Sequence, residues 1–467
     1  MKKASLFWLF FCIVIDTFSQ QHWQTLNTKK MDDYPSFLCA DSNYLYMSGE
    51  FTEVESMHMQ GIARWNGVKW DSLGAGIDAS DAFNSNPPPA AMVEYHHKLY
   101  VGGLFTSLGR VRALGMGSWD GTKWDSLSVQ PFTENQLNLG EDLCGPVAVI
   151  NDKLYVAGEF DSIAGFPCNS VAYWDDTNWH SMNFPHFSSW QYLNTICAYN
   201  GSIYVGGSFA GNNGGIGEIL RWDNMGWHAV DTGIKGVNGW VNTMAVYNGE
   251  LYVAGNFSTA DRNADNNIQR WDGTQWKAVG GGTDYEIFNL TVYNNKLYAM
   301  GQLGEAGGIP ASYIAEWDGS KWCSMGSTFD NAIVTSCIYK DSLYIGGAFW
   351  TIDGDSINYI AEWTGGNYTD GCGATTAGVS EVKVESGKVK VYPNPNNGQF
   401  NLSLSNVNTG CNVEIYNVLG QPVYSQLNIE NSIFSIDLSS QSNGVYMYRV
   451  YEETGNLVGQ GKLLIQR

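Results

Sequence analysis

LYVAGNF at residues 251–257, followed by RWDGTQW at 270–276, is the stretch on which the fold turns. An apolar run with β-branched and aromatic side chains, ending in glycine, reads as a buried strand. Asp272-Gly273 is a dipeptide that tight hairpins prefer, and Trp271 and Trp276 flank it five residues apart. The opening motif recurs as LYMSGEF (45–51), LYVGGLF (99–105), LYVAGEF (154–160), IYVGGSF (203–209), LYAMGQL (297–303) and LYIGGAF (343–349). Start-to-start spacings are 54, 55, 49, 48, 46 and 46 residues. The tryptophans recur with it, as Trp65/Trp70, Trp119/Trp124, Trp174/Trp179, Trp222/Trp227 and Trp317/Trp322, and Trp363 is followed at the same interval by Tyr368.

Each unit supplies four strands: a segment such as VNTMAVY (241–247), then LYVAG, then a strand ending in RWD or EWD, then one such as QWKAV (275–279). A lone four-stranded sheet cannot hide both faces, so a repeat of this period predicts blades stacked around an axis. HWQTLN (22–27) reads as a fourth strand with no third strand before it, whereas the last repeat runs from Tyr368 straight into TDGCG. Trp23 and its neighbours are therefore expected to complete the last blade and close the ring.

A strand ending in Gly-Gly or Ala-Gly, followed about sixteen residues later by Trp-Asp-Gly and then Trp, resembles the kelch repeat, over roughly residues 22–371. Ser48-Gly49 and Met300-Gly301 depart from its glycine doublet. The expected class is all-β: a seven-bladed kelch-like β-propeller over 20–371, a linker over 372–386 and a small β-sandwich over 387–467.

Lys2, Lys3, the apolar run Leu6–Ile15 and the small residues Thr17 and Ser19 read as a secretory signal over 1–19. The run is too short to span a bilayer, and no later segment is apolar enough to do so. The net charge of −21 falls almost wholly between the signal and the C-terminal segment, which argues against nucleic acid and anionic membranes as partners. Cys39, Cys197 and Cys337 fall in one slot, six residues before the strand motif, filled elsewhere by Val93, Ala148, Ala245 and Thr291, as small buried residues do. Cys144 and Cys168 belong to one repeat and are the one candidate disulfide.

Beyond the small-residue linker GATTAG (373–378) come five or six short strand-like runs, with Phe400, Leu402 and Leu404 alternating against polar neighbours. The segment carries Tyr392-Pro393-Asn394-Pro395 with Asn397-Gly398, then YNVLG ending in Leu419 and Gly420, then Gly444-Val445-Tyr446, and finally Gly461-Lys462 and Arg467. In these features it resembles the type A sorting domain of the type IX secretion system. The resemblance implies recognition by the outer-membrane translocon, passage through the periplasm, and a secreted or outer-membrane surface location.

No constellation for chemistry emerges. His180 and His228 share a slot, His96 and His97 fill a hairpin turn, and none stands at metal-ligand spacing. Asp120-Gly121, Asp272-Gly273 and Asp318-Gly319 lack the intervening residue of a sialidase Asp box and read as turn residues. Neither cofactor nor metal is expected, and no catalytic residue is assigned. Paired carboxylates contributed by distant blades remain the enzymatic alternative, a secreted polysaccharide hydrolase or lyase working in the propeller funnel.

Length variation concentrates at 74–92, 128–147 and 182–195, between blades. Tight turns must share one end of the disc, so these loops and the second-to-third strand connections share the other. Trp190, Trp240 and Trp350 stand outside the tryptophan register and fall there, with Tyr192 and Tyr285 nearby. Such aromatics stack on sugar rings or peptide side chains, or plug the mouth as hydrophobic lids. The reading that follows is an exported, non-enzymatic binding module for a glycan or a protein. A purely structural surface body is the third reading.

Overall fold

The computed structural model divides into two units, residues 1–376 and 377–467. It describes residues 23–26, 28, 30–78, 90–130, 145–185, 191–209, 219–230, 239–257, 266–365, 389–394, 396–404, 411–417, 422–429, 433–452 and 457–466. The expected signal (1–19), the linker (372–386), Cys144, Trp190, Pro395, Leu419 and Gly420 lie outside these residues. All regular structure among the described residues is strand.

The first unit is a seven-bladed propeller: seven antiparallel four-stranded sheets. Blade 1 runs Pro35–Ala40, Leu45–Gly49, Ile62–Trp65, Trp70–Ser72, and five further blades repeat that order in sequence. Blade 7 has Ile333–Tyr339, Ser342–Gly347 and Ile360–Trp363, and takes its outer strand from Trp23–Thr25. Trp23 sits directly opposite Trp363, as Trp70 sits opposite Trp65 and Trp322 opposite Trp317. The place that spacing offers to Tyr368 is filled by the other end of the chain.

Why the sheets stack is visible in which residues touch. Tyr247, Tyr252 and Ala254 of blade 5 pack against Ile287, Leu290, Leu297 and Ala299 of blade 6. A buried apolar cluster of the same make-up lies at each of the seven blade boundaries, including Tyr339, Tyr344 and Ile360 of blade 7 against Leu38, Leu45 and Met47 of blade 1. Burying each such side chain is worth about 1.5–3 kcal/mol, so no blade is stable without its neighbours.

Two hydrogen-bond series lie over this packing. The tyrosine ending the first strand donates its hydroxyl to a carbonyl in the next blade's first hairpin turn: Tyr95 to Asp152, Tyr199 to Gly249, Tyr247 to Asn295, Tyr293 to Asp341, and Tyr339 to Asn43. On the outside, the fourth-strand tryptophan donates Nε1 to the carbonyl three residues past its counterpart in the preceding blade. Trp124 reaches Leu73, Trp322 reaches Val279, and Trp70 reaches Leu26, three residues past Trp23.

The Trp-Asp-Gly turns are held as turn chemistry requires. Asp120 Oδ1 accepts from the Thr122 hydroxyl and from the Lys123 and Thr122 amides, which together hold its carboxyl down at about 2. Asp272 makes the same set, Asp318 makes it with the Ser320 hydroxyl, and Asp175 makes it in the Trp-Asp-Asp turn of blade 3.

The second unit is a sandwich of two antiparallel sheets. One contains Val389–Tyr392, Gln399–Leu404 and Ile433–Asp437. The other contains Pro422–Ile429, Cys411–Tyr416, Gly444–Glu452 and Leu457–Ile465. Phe400, Leu402 and Leu404 meet Val413, Ile415 and Val450 in its core.

The candidate Cys144–Cys168 disulfide is not formed. Cys168 is a buried free thiol in the boundary between blades 2 and 3, where burial pushes it up to about 12. Cys39, Cys197 and Cys337 are also free, whereas Cys323, fully buried on an outer strand, is disulfide-bonded.

Candidate ligand-binding site

Five blades share an irregularity in the innermost strand: one extra residue, nine positions before the strand motif, stands unpaired in the ladder. These residues are Ser36, Asn194, Asn242, Phe288 and Val334. A bulge re-aims a side chain, and all five line one cavity of about 640 Å³ to which every blade contributes. The glycine ending the second strand makes room for the bulge. A Cβ at Gly207 or Gly255 would fall well inside contact distance of the carbonyl of Tyr192 or Trp240, two residues before the extra residue. The repeated Ala-Gly and Gly-Gly endings thus encode the cavity wall as well as the strand.

The cavity lies at the end of the disc away from the tight turns, where first strands begin and second strands finish. Three aromatics line it, Tyr34, Phe37 and Phe288, with four side-chain amides, Asn194, Asn242, Gln302 and Asn331. Its described lining carries no charged side chain. Two of the amides also tie blades together: Asn194 Nδ2 donates to the Val241 carbonyl, and Asn242 Nδ2 to the Ile287 carbonyl and to Glu286 Oε1.

Of the residues expected to bind ligand, Tyr192 and Trp240 occupy one slot in neighbouring blades, eleven residues before the strand motif. Tyr34, Glu286 and Ala332 fill that slot elsewhere, and Tyr34 and Ala332 line the cavity. Tyr192 is half-buried, while Trp240 is 37% exposed with Nε1 2.7 Å from Glu286 Oε1. Tyr285 is 62% exposed, in the slot that Asn331 fills in blade 7. Trp350 does not join them: it leads a second-to-third connection, its amide held by Asp330 and its ring 4.8 Å from that of Tyr359. Instead of one aromatic shelf there is a cavity of amides and aromatics, with Tyr192, Trp240 and Tyr285 at rim positions. The missed residues carry a signal, a side chain nine positions before each strand motif, but a bulge cannot be read from period-2 alternation.

Three of the histidines meet carboxylates. At the turn end His96 lies 3.0 Å from Asp152 and 3.2 Å from Asp176 and stacks on Tyr95, whose hydroxyl reaches Asp176. His180 pairs with Asp175 and His228 with Asp223, five residues apart across a tryptophan hairpin. No group of three metal-ligating side chains occurs among the described residues.

In the second unit the sorting-motif residues fasten its first segment to its last strand. The Asn394 side-chain amide donates to the Lys462 carbonyl and accepts from Leu464 N, and Asn396 Oδ1 accepts from Gly398 N. Tyr446 is buried with its hydroxyl on the Ser442 carbonyl, while Tyr392 is exposed. Residues 390–466 match the family described as the secretion system C-terminal sorting domain.

The second unit is a sorting domain. The sorting domain directs export by the type IX system to the cell surface or beyond it. No described helix is long and apolar enough to cross a membrane. Over 92 residues the chain is 36% identical to an ulvan lyase from Nonlabens ulvanivorans, a match covering 20% of this chain and 16% of that protein. Among solved structures it is similar to PorZ, a bacterial surface component of the type IX secretion system of Porphyromonas gingivalis. The identity is 14%, the TM-score 0.46, and the coverage 92% of this chain and 59% of that one. It is similar too to the β-propeller domain of the trilobed protease of Pyrococcus furiosus, at 11% identity and TM-score 0.41, over 72% of this chain and 95% of that one. The chain thus spans less than two thirds of PorZ and a small part of the lyase.

Proposed function

We propose that this chain is an exported binding module, a kelch-like propeller that takes a glycan end in its axial cavity without transforming it, and that the sorting domain engages the translocon through its terminal motif. The observation that carries the reading is the cavity lining. Side-chain amides exchange hydrogen bonds with hydroxyls, and aromatic faces cover the apolar faces of sugar rings. Glycoside cleavage calls for two carboxyl groups about 5–9.5 Å apart across the scissile bond, and the described lining of the cavity presents amides and no carboxylate. A protein segment offering hydroxyls and apolar side chains is the other occupant of the same chemistry. The lyase reading has the short match to the ulvan lyase in its favour, but 16% of that protein is too little to bring its activity across.

A glycan and matrix panel tests the proposal. Saturable binding is expected, weakened at least tenfold by Phe288→Ala and by Trp240→Ala and tested also in Trp190→Ala. Binding absent from the whole panel, or unchanged in all three variants, overturns it. Turnover of any polymer, abolished by one funnel Asp or Glu change, moves the assignment to the lyase or hydrolase.

A further inference from the structure

Glu286 stands at the cavity rim in the slot that Tyr192 and Trp240 fill in the two preceding blades. Its backbone carbonyl accepts from Gln302 N, and Gln302 lines the cavity. Oε1 is committed twice, to Trp240 Nε1 at 2.7 Å and to Asn242 Nδ2 at 2.8 Å. Those two neutral donors fix the carboxylate without neutralising it, and among the described residues Glu286 makes no ion pair.

The surrounding amides sharpen this. Asn242 spends both hydrogens of Nδ2, one on Glu286 and one on the Ile287 carbonyl, so its side chain has only the oxygen left to offer a ligand. Asn194 has likewise committed an Nδ2 hydrogen, to Val241. Beside Glu286, then, the Asn242 side chain offers an acceptor next to a formal negative charge. A ligand group that brings donors suits that edge, and a carboxylate or sulfate there would face repulsion. A protonated amine brings donors and the complementary charge together, and the exposed indole of Trp240 beside the carboxylate adds the aromatic surface that cations favour.

We infer that Glu286 is a specificity-determining residue which makes the cavity prefer a sugar carrying a free, protonated amine over its N-acetylated or uronic-acid counterparts. The inference rests on the glycan-binding reading of the same cavity and narrows it to one ligand class.

The test uses the full chain and three oligosaccharide probes of equal length: glucosamine, N-acetylglucosamine and a uronic acid. Each is titrated by calorimetry at a pH where the amine is protonated. The glucosamine oligomer is expected to bind about tenfold tighter than the acetylated one, the size of one charge-assisted hydrogen bond. That advantage should shrink as salt is raised. Glu286→Gln keeps an oxygen for Trp240 and Asn242. It should abolish the preference for the amine, with the melting temperature read alongside to show that the fold is kept. Trp240→Phe, which removes one donor from Oε1, should retain a preference for the amine. Equal binding of the amine and acetylated probes by the wild type, or a preference that survives Glu286→Gln, overturns this inference and leaves glycan binding standing. Failure of all three probes to bind, where another glycan does, overturns it as well. Failure of every glycan removes the reading beneath it.

Discussion

The Tyr339 hydroxyl donates to the Asn43 carbonyl at 2.6 Å, joining residues 296 positions apart. It is the bond that Tyr247 makes to Asn295 within consecutive sequence, repeated where the ring meets itself. The boundary between blades 7 and 1 carries the same bond as four of the boundaries within the sequence.

Tyr339→Phe and Tyr247→Phe are accordingly expected to destabilise the propeller equally, each by about 1 kcal/mol, the usual net worth of one such hydrogen bond. Urea unfolding of the two variants compares them directly. A much larger loss for Tyr339→Phe would mean that the closing boundary is the weak one.

Trp23→Ala should be among the most damaging single changes. The side chain is 1% exposed, packs edge-on against Phe329 and Trp363, and anchors the strand Trp23–Thr25 that completes blade 7. A cost of about 3–5 kcal/mol follows from truncating a buried tryptophan. Limited proteolysis should then cut first within blade 7, and cleavage beginning in blade 4 would contradict the closure mechanism.

Gly255→Ala places a methyl group against the Trp240 carbonyl and the Asn242 amide. A loss of about 1–3 kcal/mol is expected from the overpacking, together with weaker ligand binding, because the bulge holding Asn242 must shift. Gly121→Ala meets nothing within 4 Å, though φ is +98° there. It should cost about 1 kcal/mol of backbone strain and leave binding alone. Thermal melts and titrations of both variants separate the two effects.

His96 gives the turn end a pH dependence whose sign is fixed. Hydrogen bonding to Asp152, assisted by Asp176, raises its pKa above the ordinary imidazole value. A group raised in the folded state contributes its stability fully below the unfolded pKa of about 6.5 and loses it as pH rises through the folded value. Stability of wild type relative to His96→Gln should therefore fall as pH is raised from about 5.5 to about 8. Chemical denaturation at four or five pH values checks this, and a difference that grows with pH would refute it.

Blade number, strand order and ring closure could be read because each rests on residues recurring in register: the Leu-Tyr openings, the tryptophan pairs and the orphan fourth strand around Trp23. The cavity could not be read that way. Its wall depends on a bulge, and in sequence a bulge is one residue too many in a strand that otherwise alternates normally. Ser36, Asn194, Phe288 and Val334 share no side-chain type, so their common slot is invisible until the register of Gly49, Gly207, Gly301 and Gly347 is known. The histidine–aspartate pairs were hidden for a related reason. His96 finds Asp152 and Asp176 across a blade boundary, at a separation no motif records.

Because blade 7 borrows its outermost strand from Trp23–Thr25, assembly cannot proceed strictly from one end to the other. Until Trp23–Thr25 is docked the disc stays one strand short, with the edge of Ile360–Trp363 bare. Closure of the ring is therefore a late, non-local step that needs Trp23–Thr25 and blade 7 in place together.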